Sequence, residues 1–212
     1  MAGRLAMGEV MTSAGPLRYF KGPCTYEPSD DTWAAVEALE LLLSMGYSFG
    51  SVLDLGSGTG VLALVARALF RPNLVAAVDL SPYAVEVSRV TLGTDAAILQ
   101  CSAASCLRGA WDLVIVNPPY LPSRPGEVEA CGGYLDLAWS EEAGHEAMCA
   151  AAGRLGQSVL IVRSSLSDLD VDSCLRYLGH EKVLEASRRE LFFERLWVEF
   201  WSKAPKTELL RP

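Results

Sequence analysis

The chain has 212 residues, half of them apolar and 21% charged, which is enough to bury a substantial core. Eighteen Lys and Arg against 26 Asp and Glu leave a net charge of −8. That disfavours a large polyanionic partner, because a phosphate-tracking surface carries a basic stripe. No apolar run reaches the roughly 18–20 residues of a bilayer span and the N-terminus lacks a signal-peptide pattern, so a cytoplasmic location is expected.

Residues 1–25 carry Gly, Pro and Ser without periodicity and are expected to form an extended, partly mobile lead-in. Over residues 31–45, Val36, Leu39, Leu42 and Leu43 recur at helical spacing, with Ser29 or Asp30 placed to cap the helix. A short apolar strand is predicted at 52–55, stopped by glycines, and a helix at 61–70. A second strand follows at 74–80. Ser81-Pro82 then supplies an N-cap and N1 pair that opens a helix. Residues 96–101 and 111–116 read as a third and a fourth strand. A helix at 141–152, a strand at 159–162 and a helix at 168–178 come next, the last with Leu169, Cys174 (or Leu175) and Leu178 on one side. Two strands around 182–189 and 191–202 end the pattern. In the second of these Phe192, Leu196, Val198 and Phe200 alternate with Phe193, Trp197 and Trp201. Residues 204–212 read as a frayed polar tail.

Strands alternating with helices imply an α/β fold. It is expected to be a Rossmann-like, seven-stranded, mostly parallel sheet with helices on both faces and an antiparallel last strand. Residues 1–212 are expected to form one domain. The six cysteines show no CxxC pair and no zinc-ligand spacing to His145 or His180, so no metal site is expected. Free thiols in or near the core are the expectation, with a disulfide of Cys101 to Cys106 or of Cys131 to Cys149 as the alternative.

Two sequence features carry chemistry. Asp54-Leu55-Gly56-Ser57-Gly58-Thr59-Gly60 closes the first strand of the α/β run and opens a helix, a context in which glycines let a ligand approach the backbone. Asp54 at the strand end would repel a phosphate but suits the ammonium of an amino acid. About twenty residues on, Asp79 ends the next strand, where an acid accepts both hydroxyls of an adenosine ribose. Pro82 and Tyr83 are placed to flank the sugar or base. The second feature is Asn117-Pro118-Pro119-Tyr120. Proline cannot donate to a β ladder, so pairing stops there and leaves an amide, free carbonyls and a flat ring at a strand end. Such a set suits a planar NH2 group.

Together these residues resemble the class I S-adenosylmethionine-dependent methyltransferases. Within that class they are most similar to the archaeal and eukaryotic branch of the release factor glutamine N5-methyltransferases. The lead-in Tyr26-Glu27-Pro28-Ser29-Asp30-Asp31-Thr32 is similar to that branch's Tyr-Glu-Pro-x-x-Asp-Thr, and the likeness covers roughly residues 20–203. The resemblance implies S-adenosyl-L-methionine as cofactor. Thr32 would close over its methionine end, Asp54 and Gly56 would bracket its amino-acid portion within the Gly56, Gly58 and Gly60 loop, and Asp79 would hold the ribose. Asn117 would bind on the cofactor side and grip the target amide with the Pro118 carbonyl, in the stiff loop that Pro119 completes. Tyr120 would pack against that amide.

Two stretches depart from the family. Leu99-Gln100-Cys101-Ser102-Ala103 lacks the usual acid for the adenine amino group, and Ser102 is the expected substitute. Trp139-Ser140-Glu141-Glu142-Ala143-Gly144-His145 stands where the family tends to read Trp-x-Gly-Gly followed by Gly-Arg.

The resemblance further implies a release factor as substrate and a small zinc-binding activator protein on the edge formed by Ala96, Ala97, Ile98 and Leu99. Adenine N6 methylation of DNA or RNA is the alternative activity, and a non-catalytic cofactor-binding scaffold the alternative from another class. Trp139, Trp197 and Trp201 are expected in core or sheet packing, His145 as a solvated helix histidine, and Glu141-Glu142 at a helix start.

Overall fold

The computed structural model describes residues 5–120, 130–134 and 144–203. The frame of the α/β region lies where the apolar patterning put it: β3 (Ser51–Leu55), α2 (Val61–Phe70), β4 (Leu74–Asp79), α3 (Pro82–Leu92), β5 (Ala97–Gln100) and β6 (Trp111–Val116). Ser81 caps α3, its hydroxyl accepting from the Ala84 N–H. Upstream, α1 spans Asp30–Ser44 with Ser29 at the N-cap position but without a side-chain cap bond.

Downstream run α4 (His145–Leu155), β7 (Gly156–Ser164), α5 (Val171–Tyr177), β8 (Glu181–Glu190) and β9 (Arg195–Ser202). Residues 141–143 of the predicted 141–152 helix, together with Trp139 and the 204–212 tail, lie outside the described residues. Residues 191–194, expected to begin the last strand, form a turn instead, closed by the Leu191 N–H donating to the Glu194 carbonyl. Phe192 and Phe193 therefore stand 91% and 84% exposed at its tip rather than on a sheet face.

The lead-in departs from expectation. Ala6–Thr12 (β1) and Gly15–Lys21 (β2) pair antiparallel over their full lengths. Only Val10 and Tyr19 of this hairpin are buried, so it carries none of the alternation that marks a half-buried strand. Its hold on the body is local. The Phe20 N–H donates to Thr91 Oγ1 of α3, and the Tyr19 ring meets Trp33 of α1.

Among the described residues the main sheet has seven strands in the order β5-β4-β3-β6-β7-β9-β8, with β9 antiparallel to both its neighbours and the strands from β5 to β7 parallel. This is the Rossmann-like arrangement that the alternation implied. Period-two alternation sends Val52, Leu113, Ile115, Leu160, Val198 and Phe200 to the face under α1 and α2. Leu53, Leu55, Val114, Val116, Ile161 and Trp201 go to the face under α4 and α5. Trp201 is fully buried, as its core assignment required.

Glu199 on β9 is buried. It accepts from Arg163, Lys182 and the indole N–H groups of Trp197 and Trp201 at 3.1–3.2 Å. The hairpin of β8 and β9 also reaches back to the chain's start. Arg189 holds Asp30 at 2.7 Å and Glu37 at 2.6 Å, both on α1. Strand order reverses between β3 and β6, and a crevice opens there at the strands' C-terminal ends, the position where open α/β sheets bind ligands.

Candidate active site

The cavity at that reversal is walled by the loops after β3, β4, β5 and β6 and by the segment leading into α1. Of the residues expected there, Thr32, Gly56, Gly58, Asp79, Ser102, Asn117, Pro118, Pro119 and Tyr120 all line it. Two do not. Gly60 sits at the N-cap of α2 with φ 76°. Asp54 is fully buried and turns its carboxylate to the Ala63 N–H at 2.9 Å. Burial pushes the Asp54 carboxyl up to about 7, opposed by the Ala63 hydrogen bond and assisted by the charge of Asp79. Asp54 therefore anchors the glycine loop to α2. A Cβ at Gly56 would lie 2.7 Å from Met148 Cε, whereas one at Gly58 would meet open space.

Asp79 is held by backbone donors on both oxygens: Gly58 N–H to Oδ2 and Ser81 N–H to Oδ1, each at 2.8 Å. Burial raises its pKa against those hydrogen bonds. One carboxylate thus joins the glycine loop to the start of α3 and still presents an edge to the cavity. Tyr83, expected to flank the sugar, is not a lining residue. Its ring packs at 6.2 Å on Tyr134, which is one.

Ser102 lies in a short loop whose Ala103 and Ala104 take positive φ of 40° and 60°. Cys101 and Cys106 are disulfide-bonded across that loop. Cys24 on the cavity wall is bonded to Cys131. The free-thiol expectation therefore fails for four of the six cysteines, and the Cys131 to Cys149 pairing is not formed, leaving Cys149 and Cys174 as thiols. Sequence spacing carried no signal for a bond between residues 107 apart. His145 is also corrected: it begins α4 buried, not solvated, and its Nδ1 has no hydrogen-bond partner among the described residues.

At the far end of the cavity Asn117 Nδ2 donates to Asp31 Oδ2 at 2.8 Å. Asp31 Oδ1 accepts from the Thr32 N–H at 2.6 Å and from Thr32 Oγ1 at 3.2 Å. The phenols of Tyr26 and Tyr120 interact with the same carboxylate. Burial first, then the charge of Asp31, raises both their pKa values, so both remain protonated. Asn117 Oδ1 is buried and has no partner among the described residues. An unpaired buried acceptor costs roughly 1–3 kcal/mol, which on a cavity wall marks a place for a donor brought by a ligand. Asp31 and Tyr26 belonged to the quoted Tyr26–Thr32 stretch, yet only Thr32 was singled out in it. Tyr134 and Met148 gave no sequence signal.

The fold is the Rossmann-like one of class I methyltransferases, and the glycine loop, the acid after the second parallel strand and Asn-Pro-Pro-Tyr after the fourth resemble the corresponding features of that class. Residues 35–130 match the Methyltransferase small domain family. Within the class the chain resembles the release factor glutamine methyltransferases. It is 41% identical over 75 residues to the release factor glutamine methyltransferase of Deinococcus radiodurans, a match covering 34% of this chain and 27% of that protein.

A putative protein N5-glutamine methyltransferase of Methanocaldococcus jannaschii is 26% identical over 190 residues, 84% of this chain and 92% of the relative. Among solved structures, a chain of the E. cuniculi Mtq2–Trm112 complex, which is responsible for the methylation of the eRF1 translation termination factor, superposes with a TM-score of 0.63. Its identity is 22%, over 85% of this chain and 99% of that one.

Proposed function

We propose that this chain is an S-adenosyl-L-methionine-dependent methyltransferase that modifies the side-chain nitrogen of a glutamine in a peptide-chain release factor. The observation that carries the reading is the unpaired Oδ1 of Asn117, a residue of the cavity wall that continues to Asp79 and the glycine loop. The donor set fits the cofactor: Asp79 presents carboxylate oxygens for ribose hydroxyls, open space at Gly58 admits a ligand to the backbone, and Thr32 and Ser102 supply hydroxyls. When bound, the cofactor supplies an electrophilic methyl group.

The chain's own task is orientation. An amide nitrogen is a poor nucleophile because its lone pair is delocalised. Asn117 Oδ1 and the Pro118 carbonyl accept its two hydrogens, fix its position and favour a localised lone pair. Tyr120 flanks the amide plane. Holding reactants in near-attack geometry supplies a large part of such rate enhancements. Pro119 keeps the loop stiff.

In this reading one domain carries both sites, the protein acts in the cytoplasm, and a small zinc-binding activator adds to β5. Among the described residues that strand pairs only with β4, which leaves its outer edge open. The Mtq2–Trm112 complex of a structural relative supports a partner of this kind. Among the described residues no helix is long and apolar enough to cross a membrane.

The test is mass spectrometry of purified release factor after incubation with this chain, its activator and cofactor, with DNA and RNA in parallel. Methylation of one glutamine is the expected result. Transfer to adenine instead would replace this reading, and no turnover with any substrate would leave a binding scaffold.

A further inference from the structure

The Asn117 side chain can do its work in only one sense. An amide has a donor end and an acceptor end of nearly the same shape, and gripping an incoming NH2 requires the oxygen towards the substrate. Nothing in the Asn-Pro-Pro-Tyr loop itself selects that sense. Asp31 does. Its carboxylate accepts and does not donate, and Oδ2 lies 2.8 Å from Asn117 Nδ2. Turning the amide over would set oxygen against oxygen at that distance. Asp31 is 4% exposed, and its other oxygen is committed to the Thr32 backbone N–H and hydroxyl. The carboxylate is thus carried by α1 and held there by Thr32, with the phenols of Tyr26 and Tyr120 as further neighbours.

We infer that Asp31 is the positioning residue of this site, fixing the sense of the Asn117 amide so that Oδ1 faces the substrate. The inference rests on the proposed amide-methylating function, but the orientation itself can be read without any substrate.

An isosteric change separates this role from packing. In Asp31→Asn the Thr32 N–H still requires an oxygen, so the new NH2 faces Asn117. Asn117 then turns over to meet it and presents a donor to the substrate. Turnover falls by about 100-fold, the scale for losing one oriented polar group in an active site, while cofactor affinity changes little. Asn117→Asp alone sets two carboxylates in contact and is also impaired. The double variant, Asp31→Asn with Asn117→Asp, restores a complementary pair. The amide introduced at position 31 donates to one oxygen of the carboxylate introduced at position 117, and the other oxygen faces the substrate. It should exceed the activity of Asp31→Asn by about tenfold or more.

The chain has two asparagines, Asn73 and Asn117, so 15N-asparagine labelling gives two side-chain NH2 signals to follow in the intact chain. One pair should be shifted and exchange-protected in the wild type and lose both properties in Asp31→Ala. If Asn117 shows no such pair, or if Asp31→Asn keeps activity within about threefold and the double variant gains nothing, Asp31 does not orient the amide. A wild type inert towards release factor would refute the function while the NMR result still decides the orientation.

Discussion

Replacing Asp54 by Asn should flatten the dependence of stability on pH. Asp54 is completely buried and its carboxyl is pushed from the usual 3.8 to about 7, chiefly by loss of hydration. Between those values the native state holds a proton that the unfolded chain has released, so stability falls as pH rises. The contribution is fully present below about pH 4 and lost by the time pH has passed through 7. Three pH units at about 1.4 kcal/mol each give about 4 kcal/mol as the upper bound for that loss.

Asn keeps an acceptor for the Ala63 N–H and never ionises. Urea unfolding of wild type and Asp54→Asn across pH 4.5–8.5 should give curves that lie closest at the acid end. Towards pH 8 they should diverge, the variant gaining about 2–4 kcal/mol relative to wild type. A difference that stays constant with pH would refute the reasoning, as would an NMR titration placing the Asp54 carboxyl near an ordinary value.

Asn117→Ala removes the acceptor that grips the substrate and should lower kcat by about 100-fold or more, with S-adenosylhomocysteine affinity by calorimetry weakened far less. Glu199→Ala takes the acceptor from two indole N–H groups and from Lys182, while Arg163 keeps Asp172 at 2.7 Å. It should cost about 1–3 kcal/mol in denaturant unfolding. Alkylation of the denatured, unreduced protein should modify only Cys149 and Cys174, and all six cysteines after reduction, as read by intact mass. The long Cys24–Cys131 loop should matter more than the short one, so Cys24→Ser should lower Tm further than Cys106→Ser.

The sheet was legible because parallel strands buried on both faces read as apolar runs stopped by Gly, Pro or Asp, and α2 and β6 were placed to the residue. The β1–β2 hairpin escaped because its stability comes from pairing and from two buried side chains, not from a face. The turn at 191–194 escaped for a related reason: Phe192 and Phe193 continue an apolar pattern while making no core.

In the site, positions local to a motif were readable: Gly56, Gly58, Asp79 and Asn117 all line the cavity. Asp54 was placed at the right strand end but on the wrong side of it, because sequence shows the acid and not the direction of its carboxylate. Asp31 needed a contact across 86 residues. Of the two disulfides bordering the cavity, Cys101–Cys106 is the pairing the sequence offered as an alternative, whereas Cys24–Cys131 depends on loop paths that composition does not encode.

Arg189 bears on when the protein becomes competent. It lies in β8 and grips Asp30 and Glu37 on α1, 159 and 152 residues earlier in the chain. Until that late strand arrives, the helix carrying Asp31 has no such mooring. A nascent chain long enough to hold the glycine loop and Asn117 still lacks the clamp that fixes their neighbour. Synthesis thus supplies this clamp only once translation has passed residue 189.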